Sequence, residues 1–146
     1  MSDAHCHLQD IPNFDVSGLR FVICAGADIK SSKKAIEIAD KYPNVYATVG
    51  IHPESNDDLN EIVKLTKSPK VVAIGECGLD SDNIREIELL KLHVGLAKKF
   101  DLPLVIHNRN QDQNILKILD NYSKVMMHCF TGDMNFMKEC VSRGSY

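Results

Sequence analysis

Short β-branched apolar runs alternate with helix-period segments along the whole chain, and this alternation constrains the fold more than any other feature. Phe21–Gly26, Val45–Ile51, Lys70–Gly75, Leu104–Ile106 and Lys124–Met127 read as strands, and a short strand around Ala4–Leu8 opens the series. Helices are expected over Ser31–Tyr42, Asp57–Thr66, Asn83–Phe100, Gln111–Asn121 and Asp133–Arg143. In the first of them Ile36 and Ala39 face inward. In the longest, Ile84, Ile87, Leu90, Val94 and Ala97 recur at spacings of three or four. Continuous apolar strands are buried on both faces, and repeated βα units imply a parallel sheet with right-handed crossovers. The segment Gln9–Arg20 carries Pro12 and Gly18 without a helical period, so the first helix is missing or reduced.

At 146 residues the chain has the length of one domain, residues 1–146. No run of 18 apolar residues crosses a membrane, and the opening Met1-Ser2-Asp3-Ala4-His5 lacks the features of a secretion signal. A net charge of −3 excludes a generally basic nucleic-acid coat while leaving local phosphate recognition open. The five cysteines form no CxxC pair and are expected as reduced thiols of a cytoplasmic protein.

Chemistry concentrates where the strands end. Five of the six histidines, His5, His7, His52, His107 and His128, fall at the carboxyl ends of expected strands, as does Glu76. That is the face on which parallel α/β folds build their sites. Residues i and i+2 of a strand share a face, so His5 and His7 reach one metal ion together. Glu76, His107 and His128 come to the same mouth from other strands. Imidazole with carboxylate suits zinc, manganese or iron, and a carboxylate bridging two ions suits two-metal hydrolysis. His93, in mid-helix, reads as structural, and Cys6, Cys77 and Cys129 as thiols turned away from the ligand face.

The motifs Asp3-x-His5-x-His7-Leu8, Gly50-Ile51-His52-Pro53, Gly75-Glu76-Cys77-Gly78-Leu79-Asp80, Leu102-Pro103-Leu104-Val105-Ile106-His107-x-Arg109 and His128-Cys129-Phe130-Thr131-Gly132 occur in this order across the chain. Together they resemble the TatD family of metal-dependent deoxyribonucleases, within the amidohydrolase superfamily. The resemblance implies a TIM-type (β/α) barrel, here about six βα units with a degenerate first helix. It implies two divalent ions (Zn, Mg or Mn), the first held by His5 and His7 and the second by His107 and His128, with Glu76 able to bridge them. It also implies hydrolysis of DNA phosphodiester bonds, exonucleolytic and on single strands, by a metal-activated water. His52 then contacts the scissile phosphate or the attacking water, and Arg109 binds phosphate or pairs with a carboxylate such as Asp80. Asp3 orients a ligand histidine or caps the strand end.

Two departures accompany the resemblance. The first helix is degenerate, and the family's further ligating aspartate, on a later strand, has no counterpart among the 18 residues after His128. Of the acidic residues there, Asp133 is placed to cap a helix, leaving Glu139. Gly144-Ser145-Tyr146 resembles the opening of the family's next strand. The expectation is therefore a C-terminally incomplete barrel, or one that pairs with a second chain at the open edges of its first and sixth strands. Alternative readings are a catalytically impaired fragment that binds metal or nucleic acid, and an esterase acting on misacylated tRNA. An amidohydrolase for a small cyclic amide fits less well, because such enzymes place a carboxylated lysine where this chain has Glu76.

Overall fold

After four of the six strands a polar side chain in the following turn caps the next helix, and the chain advances as repeated βα units. A computed structural model describes all residues 1–146. The strands are β1 (Asp3–Cys6), β2 (Val22–Ala25), β3 (Val45–Val49), β4 (Val71–Leu79), β5 (Leu104–Asn108) and β6 (Val125–Met127). The helices are α1 (Ile29–Lys41), α2 (Leu59–Leu65), α3 (Ile84–Phe100), α4 (Asp112–Leu119) and α5 (Met134–Ser142). Asp28 opens α1 with a reciprocal capping box to Ser31, Asn83 accepts from Glu86 N–H to open α3, and Asp133 accepts from Phe136 N–H at 2.8 Å to open α5. Between β1 and β2 there is only a one-turn 3₁₀ helix, Leu8–Asp10, where the sequence lacked a helical period.

The six strands form one parallel sheet in the order β1-β2-β3-β4-β5-β6. Chain order and sheet order coincide, so right-handed crossovers place the helices on one face and the sheet rolls into part of a (β/α) barrel. Tyr146 continues the pattern beyond β6: its N–H donates to Val125 O at 2.9 Å and its carbonyl accepts from Met127 N–H at 2.8 Å. The core lies between sheet and helices, with Val22, Val45, Ile74, Leu104 and Val125 of the strands packed in one apolar cluster with Ala35, Ile62, Leu90 and Ile115 of the helices.

Two local readings are corrected. Ile84 is 79% exposed, because α3 turns Glu86, Leu90, His93, Val94 and Ala97 inward instead. Strand β4 runs past Gly75 to Leu79, so Glu76 lies within the strand rather than beyond its end. Glycine permits this course. Gly75 has φ +143°, and a Cβ there would meet Val105 O of β5 at 2.6 Å.

Candidate metal centre

Glu76 is almost fully buried, in the middle of the sheet, and three imidazoles converge on it. Its Oε2 lies 3.6 Å from His5 Nε2 and 3.3 Å from His7 Nε2, and its Oε1 lies 2.7 Å from His128 Nε2. Side-chain donor atoms of His5, Glu76 and His128 all fall within 4.8 Å of one another, and so do those of His52, Glu76 and His107. Glu76 thus belongs to both groups. The grouping differs from the expected one: His128 sits with His5, their rings stacked at 4.3 Å, rather than with His107, whose ring centroid is 5.5 Å away.

The surroundings fit a cation. Both ring nitrogens of His5 are buried without a hydrogen-bond partner, and His128 Nε2, although close to Glu76, makes no aligned hydrogen bond. Unpartnered buried polar atoms are costly in a folded protein, whereas imidazole nitrogens around a carboxylate are a common donor set for divalent ions. Burial, reinforced by His128, lowers the His5 pKa to about 4, so its imidazole is neutral near pH 7 with a lone pair to offer. Burial alone would raise the Glu76 carboxyl, but the His128 and His7 imidazoles close beside it outweigh burial and hold the group ionised, well below the usual carboxylate range.

Groups behind these side chains fix their orientation. Asp3 accepts from His5 N–H at 3.0 Å and so sets the strand end rather than the ring. His7 Nδ1 lies 3.1 Å from Ala25 O. His107 Nε2 is 2.9 Å from Asp80 Oδ1, the carboxylate–imidazole pairing that commonly supports a metal-binding histidine. Asp80 is itself held by Glu86, whose Oε2 accepts from the N–H groups of Asp80 and Ser81, both at 2.8 Å. Arg109 reaches the same Asp80 Oδ1 at 3.4 Å with its side chain 64% exposed. Its ion pair is therefore at the surface and leaves donors free.

His52 differs from the other imidazoles. Glu54 N–H donates to its Nδ1 at 3.3 Å, and burial, with His107 nearby, lowers its pKa. A neutral ring whose Nδ1 accepts carries its proton on Nε2 and presents a donor. His93 lies outside the site. It is fully buried, its Nε2 accepting from Ile51 N–H at 3.1 Å while Nδ1–H donates to Leu89 O at 2.8 Å. It fixes the turn that carries His52.

The thiols are turned away. Cys6 Sγ donates to Ile23 O, and burial pushes its pKa to about 12. Cys77 Sγ faces Val105 O, and Cys129, at φ +46°, is exposed on the turn after β6. The late acidic residues are also occupied elsewhere, Asp133 in its cap and Glu139 in an ion pair with Arg143. Sequence reading did not single out Gln9 or Glu86, and it named Asp80 only as a partner for Arg109. Single polar residues in turns carry no periodic signal; only their closeness to a motif could have marked them.

Comparison with known proteins agrees with the geometry. The family described as TatD related DNase matches residues 2–146. The chain is 31% identical over 144 residues to the 3'-5' ssDNA/RNA exonuclease TatD of Salmonella typhimurium, covering 89% of this chain and 55% of that protein. It is 33% identical over 168 residues to an uncharacterized metal-dependent hydrolase, YabD, of Bacillus subtilis, covering 99% and 66%. The crystal structure of a TatD homologue from Escherichia coli K12 superposes with a TM-score of 0.84 at 26% identity, covering 99% of this chain and 65% of that one. The chain thus spans about half to two thirds of the length of these relatives. Motif order and barrel topology agree with the family match, and the chain belongs to the TatD-related DNase family.

Proposed function

We propose that this chain carries the metal-binding part of a hydrolase that cleaves DNA phosphodiester bonds, working from the end of a single strand in the cytoplasm. The observation that carries the reading is Glu76, one buried carboxylate within reach of two separate histidine groups. His5, His7 and His128 with Glu76 would hold one divalent ion, and His107 with Glu76 a second; zinc, manganese and magnesium are the candidates. Such ions, when bound, polarise a phosphate and activate a water for in-line attack. His52 would donate its Nε2–H to a phosphate oxygen, because Glu54 N–H occupies its other nitrogen. Arg109 would offer its free guanidinium N–H groups to the strand, while Asp80 keeps the His107 ring in place. The outer edge of β1, and the extension that Tyr146 begins beside β6, are where further strands, of this protein or of a second chain, would pair.

The test is digestion of 5'-fluorescent single-stranded DNA by the purified chain loaded with manganese or zinc. A ladder of products shortening from one end, absent in Glu76→Ala, is the expected result. Stoichiometric metal without any cleavage of single-stranded DNA would overturn the proposal.

A further inference from the structure

We propose that Gln9 is a positioning residue that sets which nitrogen of His7 carries the proton, and thereby how readily His7 accepts a metal ion. The inference rests on His7 being a ligand of the centre proposed above.

The 3₁₀ turn after β1 folds the Gln9 side chain back over the end of β2. Its Oε1 accepts from the Cys24 thiol at 2.8 Å, and its Nε2 donates to Ala25 O at 2.7 Å. Cys24 and Ala25 are both fully buried. A thiol proton on one side and a carbonyl on the other leave the amide a single sensible orientation, with the NH₂ toward Ala25. In that orientation Gln9 Nε2 also lies 3.3 Å from His7 Nδ1.

His7 therefore has two choices. Without a cation, the Glu76 carboxylate 3.3 Å away calls for a proton on Nε2. Nδ1 then carries a lone pair, and Gln9 supplies the donor it needs. A cation on Nε2 requires the opposite tautomer, with Nδ1–H donating to Ala25 O, 3.1 Å away. The two forms differ only in where one proton sits. Gln9 favours the metal-free form, and Ala25 O serves the loaded one.

The Glu76 carboxylate raises the His7 pKa above its ordinary value, so nitrogen-detected NMR of the metal-free chain is followed over a pH series and the tautomer is read at the alkaline plateau, where the ring is neutral. Wild type is expected to hold Nε2–H at His7, and Gln9→Met to shift it to Nδ1–H. Zinc affinity, measured by competition with a chromogenic chelator, should rise about fivefold in Gln9→Met, the equivalent of one ordinary hydrogen bond no longer opposing the loaded form. In Gln9→Glu, whose carboxylate accepts from Nδ1–H, it should rise at least as much. A wild-type His7 already in the Nδ1–H form, or zinc affinity that is unchanged or lower in both variants, would overturn the role of Gln9. A wild type that binds no zinc would instead defeat the proposed function, and the tautomer measurement would still decide the role of Gln9.

Discussion

The rings of His5 and His128 stack at 4.3 Å and 11°, although one lies on the first strand and the other just beyond the last. In a flat six-stranded sheet, with neighbouring strands about 4.8 Å apart, they would be more than 20 Å from each other. Their contact measures how far the sheet has rolled. It also explains how Glu76, on β4, meets side chains from both ends of the sheet at once. The candidate centre is a product of sheet curvature as much as of residue identity.

Removing the shared carboxylate should empty the centre. Glu76→Ala is expected to lose more than about 100-fold in metal affinity together with its activity, since even supporting groups behind a ligand cost 10–100-fold. His52→Ala should keep its metal while turnover falls about 100-fold, the loss seen when one donor to a developing charge is removed. Metal analysis beside nuclease rates decides the matter. Equal metal loss in both variants would make His52 a ligand.

Arg109→Ala should separate binding from stability. The side chain is 64% exposed, and its pairing with Asp80 is correspondingly screened. Denaturant unfolding should shift by less than about 1 kcal/mol, while KM for an oligonucleotide rises. A large stability loss with KM unchanged would reduce Arg109 to a structural partner of Asp80.

His93 should leave a signature in the pH dependence of stability. Burial lowers its pKa from 6.5 to about 4, and its Nε2 must stay unprotonated to accept from Ile51 N–H. The unfolded chain takes up this proton as pH falls through 6.5, and the folded chain does so only near 4. The contribution is complete above pH 6.5 and is lost progressively between about 6.5 and 4, amounting to about 3 kcal/mol. His5 adds to the slope in the same window, so the comparison is between wild type and His93→Gln. Urea melts across that range should be flatter for the variant, and identical slopes would contradict the assignment.

Gly75→Ala should be poorly tolerated. The new Cβ would stand 2.6 Å from Val105 O at a φ of +143°. A loss of about 2 kcal/mol or more is expected by thermal or chemical melting. Because Gly75 directly precedes Glu76, metal affinity should fall as well. A variant as stable as wild type would show that β4 and β5 can part at this point without cost.

The strand–helix alternation was legible because buried parallel strands and amphipathic helices each leave a periodic pattern, and the missing first helix showed as the absence of one. Ile84 was misplaced because a chain can be apolar at its first helical position without that position facing the core, and the rotation of α3 follows the packed face of Leu90, His93, Val94 and Ala97. The histidines of the site could be read from their places after apolar runs. The supports could not. Gln9 meets Cys24 only because β1 and β2 pair, and Glu86 meets Asp80 only because α3 begins where β4 ends. The division of the imidazoles into two groups depends on curvature, which no local pattern encodes.

Because sheet order repeats chain order, every strand finds its partner in the strand made just before it. The chain can therefore zip up progressively from its amino end, with modest loop-closure entropy at each step. The meeting of His5 with His128 is the exception, since it joins the two ends of that series. A cation gripping both would act as a clasp on the last docking event. Amide protons of β1 and β6 should then be the ones whose exchange slows most when metal is added.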